Sequence, residues 1–221
     1  MSVLLTRYSD LASHRSKNTS TPHRSKLHNQ LGRTLVFNTD TEYATNLTTN
    51  IIKNRSVVAD DWTVLRLAAD DTPETVEIPA GKVIVPFTVW EAQRATLEGR
   101  AQLGVWLASN ARPEALKDDL DHFALIAVDF PIFTDGRGYS IAFNLRTRYG
   151  YEGELRAIGD VLRDQLFYMS RVGFDAYAVR ADKNINDALK GLTDFSEKYQ
   201  ASWDEKTPLF RRVKRQPVVQ G

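Results

Sequence analysis

Hydrophobic positions change their spacing along this chain. From Met1 to Asn50 no apolar period is visible, and Ser, Thr, Asn and His separate scattered basic residues. Such a stretch buries too little apolar surface to offset the entropy of ordering, so residues 1–50 read as a flexible polar extension. Short apolar runs follow. Ile51-Ile52 and Val57-Val58 flank Asn54, a turn residue, and Trp62, Val64, Leu65 and Leu67 precede the loop Asp70-Asp71-Thr72-Pro73. Residues 51–81 therefore read as a small β segment.

From residue 82 strand and helix periods alternate. Val83–Phe87, Leu103–Ala108, Ala124–Phe130, Glu154–Gly159 and Tyr177–Val179 form short apolar runs of strand length. Between them lie helical segments. Thr88 to Glu91 fits a capping box, with Gly99 as the stop. Pro113 suits the first position of a helix reaching Leu120. Ile141, Ala142, Leu145 and Tyr149 make a helical stripe closed by Gly150. Val161, Leu162, Leu166 and Met169 make another, capped by Asp160 and closed by Gly173. The clearest stripe is the last: Ile185, Ala188, Leu189, Leu192, Phe195 and Tyr199, with Asp182 as cap. The alternation predicts an α/β fold over residues 82–200, a mostly parallel sheet of about five strands with alternating helices. A doubly wound layer is the first arrangement expected and a partial barrel the second. Residues 201–221 read as a polar, basic C-terminal tail.

Composition narrows the chemistry. Lys plus Arg number 29 against 28 Asp plus Glu, so bulk charge does not drive binding to nucleic acid or to membrane. The six basic residues before Thr34 face one acid, Asp10, which leaves a basic arm as the alternative reading of the extension. There is no cysteine, which excludes disulfides, thiol nucleophiles and cysteine-bound iron–sulfur clusters. The four histidines, His14, His23, His28 and His122, show no metal-binding spacing. His122 reads as a helix C-terminal residue, and Trp62, Trp90 and Trp106 as core. No apolar run reaches the ~18 residues of a membrane span, and no signal peptide is evident, so a cytoplasmic location is expected.

Ligands of parallel sheets gather at the carboxyl ends of strands, and two such ends are polar here. After Asp129 the chain reads Phe130-Pro131-Ile132-Phe133-Thr134-Asp135-Gly136-Arg137-Gly138-Tyr139-Ser140. Backbone N–H groups at a helix start, close approach at glycine and a guanidinium suit an anion. Asp135, Gly136, Arg137, Gly138 and Ser140 are thus candidate anion ligands. The second end offers Arg156, Asp160, Arg163, Asp164 and Gln165. If the two ends neighbour each other, Asp129, Asp135, Arg137, Asp160, Arg163 and Asp164 converge in one crevice. Asp129, Asp135 and Asp160 are then weak candidates for Mg²⁺, and a closed ion-pair network is the alternative. Neither GxGxxG nor GxxxxGK[ST] occurs, so no cofactor is evident.

The runs FPIFTDGRGYS, RYGYEGELRAIGDVLRDQLFYM and RVGFDAYAVR, between Asp129 and Arg180, resemble a bacterial family of uncharacterised proteins labelled "probable oxidoreductase involved in sulfite reduction". Weaker similarity extends from about Ile51 to Arg212. Where many members carry Cys between the residues matching Arg171 and Gly173, this chain has Val172. The resemblance implies a place in assimilatory sulfite reduction. Without cysteine the chain does not hold the cluster that six-electron reduction of sulfite uses, so the implied role is accessory. It would bind sulfite reductase, another sulfur-assimilation enzyme or a small anion, with no nucleic acid and no membrane as partner. Two alternatives stand beside it. One is an enzyme whose Asp/Arg strand-end site acts on a phosphorylated or sulfur-containing small molecule. The other is a structural interaction domain.

Overall fold

The structure is a computed structural model and describes residues 49–212. Expectations for residues 1–48, including His14, His23 and His28, and for 213–221 lie outside the described residues.

The chain opens with an antiparallel hairpin, β1 (Asn50–Lys53) and β2 (Ser56–Ala59). Asn54 and Arg55 both take positive φ, 49° and 62°, the conformation a two-residue hairpin turn requires. The remaining strands are β3 (Thr63–Val64), β4 (Val83–Pro86), β5 (Leu103–Leu107), β6 (Leu125–Phe130), β7 (Glu154–Gly159) and β8 (Ala176–Tyr177). The helices are α1 (Phe87–Leu97), α2 (Arg137–Thr147), α3 (Arg163–Val172), α4 (Ile185–Lys190) and α5 (Leu209–Arg212). All eight strands form one mostly parallel sheet in the order β2-β1-β8-β7-β6-β5-β4-β3. The three strands of residues 51–81 thus add to the five read from the later sequence and occupy both edges of the same sheet.

Strands β3 to β8 are parallel and follow each other in chain order, without the reversal that marks a doubly wound layer. The short link between β2 and β3 requires the sheet to curl into a partial barrel. Flat, its eight strands leave seven spacings of roughly 4.8 Å, so β2 and β3 would lie about 34 Å apart. Only Asp60, Asp61 and Trp62 join them. Four steps of extended chain reach about 14 Å at most. The two edges therefore curve toward each other, and this link crosses the opening between them.

Alternation along the strands gives each face its own core. One face of the sheet, with Val85, Val105, Ile126, Val128, Leu155, Ala157 and Tyr177, packs against Val89 and Trp90 of α1, Ile141 and Leu145 of α2, and Leu166 and Met169 of α3. The other face holds a smaller apolar cluster of Ile84, Leu125, Ala127 and Ile158, covered by Trp62, Val64, Trp106 and Ala178. Gly138 sets the distance of α2 from the sheet, since a Cβ there would lie 2.7 Å from the Phe130 ring.

Several helix ends differ from expectation. α1 starts at Phe87 directly after Pro86, without side-chain capping by Thr88, because the proline that ends β4 already fixes the entry dihedral. Residues 113–122 make two 3₁₀ turns, Pro113–Leu116 and Leu120–His122, instead of one helix. Between them Asp119 turns inward to accept from Trp90 Nε1 at 3.0 Å and Arg94 Nη1 at 2.7 Å. α3 begins after Leu162, whose N–H donates to Gln165 Oε1 at 2.9 Å, and Asp160 is not its cap. α4 is capped by Asn184, which accepts from Asn186 N at 2.9 Å, and not by Asp182. The long last stripe stops early: α4 passes into a 3₁₀ turn at Gly191, whose backbone packs against the Arg163 carbonyl. Phe195 and Tyr199 are left 64% and 69% exposed.

Candidate functional site

The carboxyl ends of the parallel strands form one rim of the partial barrel, and three ion-paired groups stand on it. At the end of β6, Asp129 accepts from Arg66 Nη2 at 2.7 Å. The Arg66 guanidinium lies over Trp106, 4.8 Å from the ring centre, and Trp106 Nε1 donates to the Leu65 carbonyl at 2.9 Å. In the loop after β6, Asp135 accepts from Arg137 Nε at 2.9 Å and Nη2 at 2.7 Å, and from Ser109 Oγ at 2.5 Å. The Arg137 guanidinium, then the Ser109 hydroxyl, hold the Asp135 carboxyl well below the usual carboxylate range. After β7, Asp160 accepts from the Phe133 N–H at 2.9 Å and from Arg180 Nη1 at 2.7 Å. Arg180 Nε also donates to Asp182 at 2.6 Å, and that bond lowers the Asp182 pKa.

The other sequence candidates lie elsewhere. Arg163 turns away from the rim and donates to Asp187 at 3.1 Å and Asp194 at 3.0 Å, beside a hollow of about 320 Å³. Asp164 is exposed, with no side-chain hydrogen bond among the described residues. Gln165 caps α3 and donates to the Phe133 carbonyl at 3.4 Å. Gly136 precedes α2 in ordinary helical geometry, Gly138 packs on Phe130, and Ser140 faces an outer groove. Arg156 is 1% exposed in mid-β7, where it donates to Asp60 Oδ1 and Oδ2, each at 3.0 Å, and to Glu154 at 2.7 Å. Lys53 Nζ completes this group, 2.6 Å from Glu154.

Five of the six residues expected to share one crevice are therefore divided among separate ion pairs, and Asp164 stands apart from them. Arg137 and Arg180 are each held by carboxylates, so an anion would have to displace Asp135 or Asp160. No cluster of three or more metal-ligating side chains occurs among the described residues, and Asp129, Asp135 and Asp160 each bind a guanidinium instead. His122 stands with Nε2 3.4 Å from Glu98. The sequence reading missed Arg66, Ser109, Arg180 and Asp182. A signal for two of them was present: Arg180-Ala181-Asp182 repeats in reverse the acid-x-arginine step of Asp135-Gly136-Arg137.

Apolar exposure gathers on the outer side. Between α2 and α3 runs a groove of about 390 Å³ lined by Tyr139, Phe143, Asn144, Tyr168, Val172 and Ser202. Tyr139 and Tyr168 meet edge to face at 5.1 Å, and Phe143 and Tyr168 are 39% and 54% exposed. Arg171 fixes the third wall: its carbonyl accepts from Ser202 Oγ at 2.8 Å, and its Nε donates to Asp204 at 3.0 Å. At the upper end, the loop after β6 exposes Ile132 and Phe133, 58% and 46%. No helix of the described residues is long and apolar enough to cross a membrane.

Neither a curated protein nor a solved structure matches the chain. Residues 104–210, which contain the runs between Asp129 and Arg180, match the family described as bacterial protein of unknown function, DUF934.

Proposed function

We propose that the chain is an accessory protein of sulfite reduction that binds the reductase through its α2–α3 side. The contrast between its two surfaces supports this reading. On the rim the arginines are neutralised by the chain's own carboxylates, whereas Tyr139, Phe143 and Tyr168 line a groove together with hydrogen-bonding Asn144 and Ser202. Aromatic side chains with a polar neighbour are the usual anchors of protein interfaces. The place in sulfite reduction rests on the resemblance of the Asp129–Arg180 runs. The zero cysteine count favours an accessory role over a catalytic one.

The test is direct binding of the purified full chain to purified sulfite reductase, with sulfite alone in a parallel unfolding experiment. Saturable binding that Tyr168→Asp weakens at least ten-fold is expected, with no midpoint shift from sulfite. Absence of reductase binding, together with a clear sulfite-induced shift, would move the function to the rim arginines and overturn the reading.

A further inference from the structure

We propose that a hollow at the amino end of β8 binds a phosphate group, either the free ion or the end of a phosphate monoester. The hollow, of about 190 Å³, lies between the β1–β2 turn and the irregular segment 198–205, away from the rim. Asn54, Arg55, Asp175, Lys198, Trp203 and Asp204 are among the residues that line it. Both carboxylates are already engaged. Asp175 Oδ1 accepts from the Leu155 N–H at 2.9 Å, and Oδ2 from Arg146 Nη2 at 2.8 Å. Asp204 Oδ1 accepts from Arg171 Nε at 3.0 Å, and Oδ2 from Lys198 Nζ. Arg55 makes no salt bridge and no side-chain hydrogen bond among the described residues. Four cations, Arg55, Arg146, Arg171 and Lys198, therefore meet two carboxylates, Asp175 and Asp204. Glu152 lines a separate hollow that shares only Asp175 and Trp203 with this one. Each rim arginine is held by an acid, whereas Arg55 is not.

The backbone gives Arg55 a second distinction. It takes φ of 62° at the second position of the turn, where glycine is usual because a side chain is strained there. An arginine kept in that conformation points to a task for its guanidinium. The turn is fixed against the hollow by the Asn54 N–H, which donates to the Asp175 carbonyl at 2.9 Å. The lining is rich in donors. Arg55 offers a planar guanidinium, and Lys198 keeps two N–H groups beyond the one given to Asp204. Trp203 Nε1 and the Asn54 carboxamide make no hydrogen bond among the described residues. The two carboxylates choose between anions. Hydrogen phosphate carries a proton that a spare lone pair of Asp175 or Asp204 accepts. Sulfate carries no proton at neutral pH and meets the same carboxylates as like charge.

Isothermal titration of the full chain with inorganic phosphate, methyl phosphate and sulfate tests the site. Saturable binding of inorganic phosphate is expected, with sulfate at least ten-fold weaker. Arg55→Gly is the decisive variant, because it removes the guanidinium and supplies the residue the turn prefers. Its unfolding midpoint without phosphate should equal or exceed the parent's, while its phosphate affinity falls at least ten-fold. Lys117→Ala, which removes an exposed cation far along the chain, should leave that affinity unchanged. Methyl phosphate bound as tightly as the free ion assigns the hollow to a phosphate monoester, and its exclusion assigns the hollow to the free ion. Absence of saturable phosphate binding, equal affinity for sulfate, or undiminished binding by Arg55→Gly would overturn the proposal. No reductase enters this experiment, so its failure is distinguishable from failure of the functional reading.

Discussion

The same local device occurs inside the curled sheet and on its rim, with opposite consequences. Glu154 and Arg156 are two residues apart on one strand face, and Asp135–Arg137 and Arg180–Asp182 repeat the spacing at strand ends. Inside, the Arg156 and Glu154 side chains are 2% and 8% exposed. Arg156 also reaches Asp60 on the link that crosses between the sheet's two edges. On the rim, Arg137 and Arg180 are 62% and 40% exposed; Arg137 binds an acid of its own loop, and Arg180 binds the neighbouring Asp182 and Asp160 of the loop after β7. The inner group ties distant parts of the chain together where water is scarce. The rim pairs, including Arg180–Asp160 between two loops and Arg66–Asp129 across 63 positions, leave their guanidiniums in contact with water. Spacing alone produces an ion pair; burial decides whether it holds a fold.

Breaking the inner group should have the largest effect. Arg156→Ala leaves Asp60 and Glu154 with their charges poorly compensated, and loss of one partner of a buried pair costs about 3–5 kcal/mol. At about 2–4 °C per kcal/mol for a chain of this size, the thermal midpoint should fall by on the order of 10 °C. Urea unfolding of the full chain checks this, and a loss below about 1 kcal/mol would show that water already reaches the group. Asp60→Asn should cost less, about 1–3 kcal/mol, because the amide oxygen still accepts one bond from Arg156 while the second is lost. If Asp60→Asn proved as costly as Arg156→Ala, charge on the crossing link would matter more than hydrogen bonding, which would sharpen the distinction from the rim.

The alternation of strand and helix was legible because periods of two and of 3.6 leave different marks; Gly173 closes α3 with φ of 117°, while α2 ends at Thr147, before Tyr149 and Gly150, with Arg148 as its C-cap. The curl was not legible. It depends on β2 and β3 lying at opposite edges, and no local pattern reports which strands pair. Cap assignments failed where tertiary partners took the side chain: Asp160 and Asp182 were bound by Arg180, leaving Gln165 and Asn184 to cap α3 and α4. At the candidate site, charged residues at strand ends were found, but their partners were not. Arg66 lies 63 positions from Asp129 and Asp60 lies 96 from Arg156, separations over which a single sequence carries no pairing signal. The exposed Phe195 and Tyr199 were read as a core stripe because their spacing is helical, while the helix had already ended at the tight contact of Gly191.

The smallest effect is expected on the rim, and it is resolved by pH. Asp135 is lowered by Arg137 and Ser109, and Asp182 by Arg180 and Lys183. A carboxylate whose folded pKa lies below its unfolded value of about 3.9 stabilises the fold above that value. The contribution is lost as pH falls through the folded value. Arg137→Ala and Arg180→Ala should therefore lower the neutral-pH midpoint by less than Arg156→Ala does, because their guanidiniums stand in water, where ion pairs are screened and entropically costly. Below pH ~4 the variants should lose less stability than the parent, having less carboxylate stabilisation left to titrate away. Carboxyl ¹³C titration should show Asp135 in Arg137→Ala, and Asp182 in Arg180→Ala, moving back up toward the ordinary carboxylate range. If either substitution unfolded the chain at neutral pH as Arg156→Ala is expected to, the rim pairs would carry structure as the inner group does, and the difference drawn from exposure would not stand.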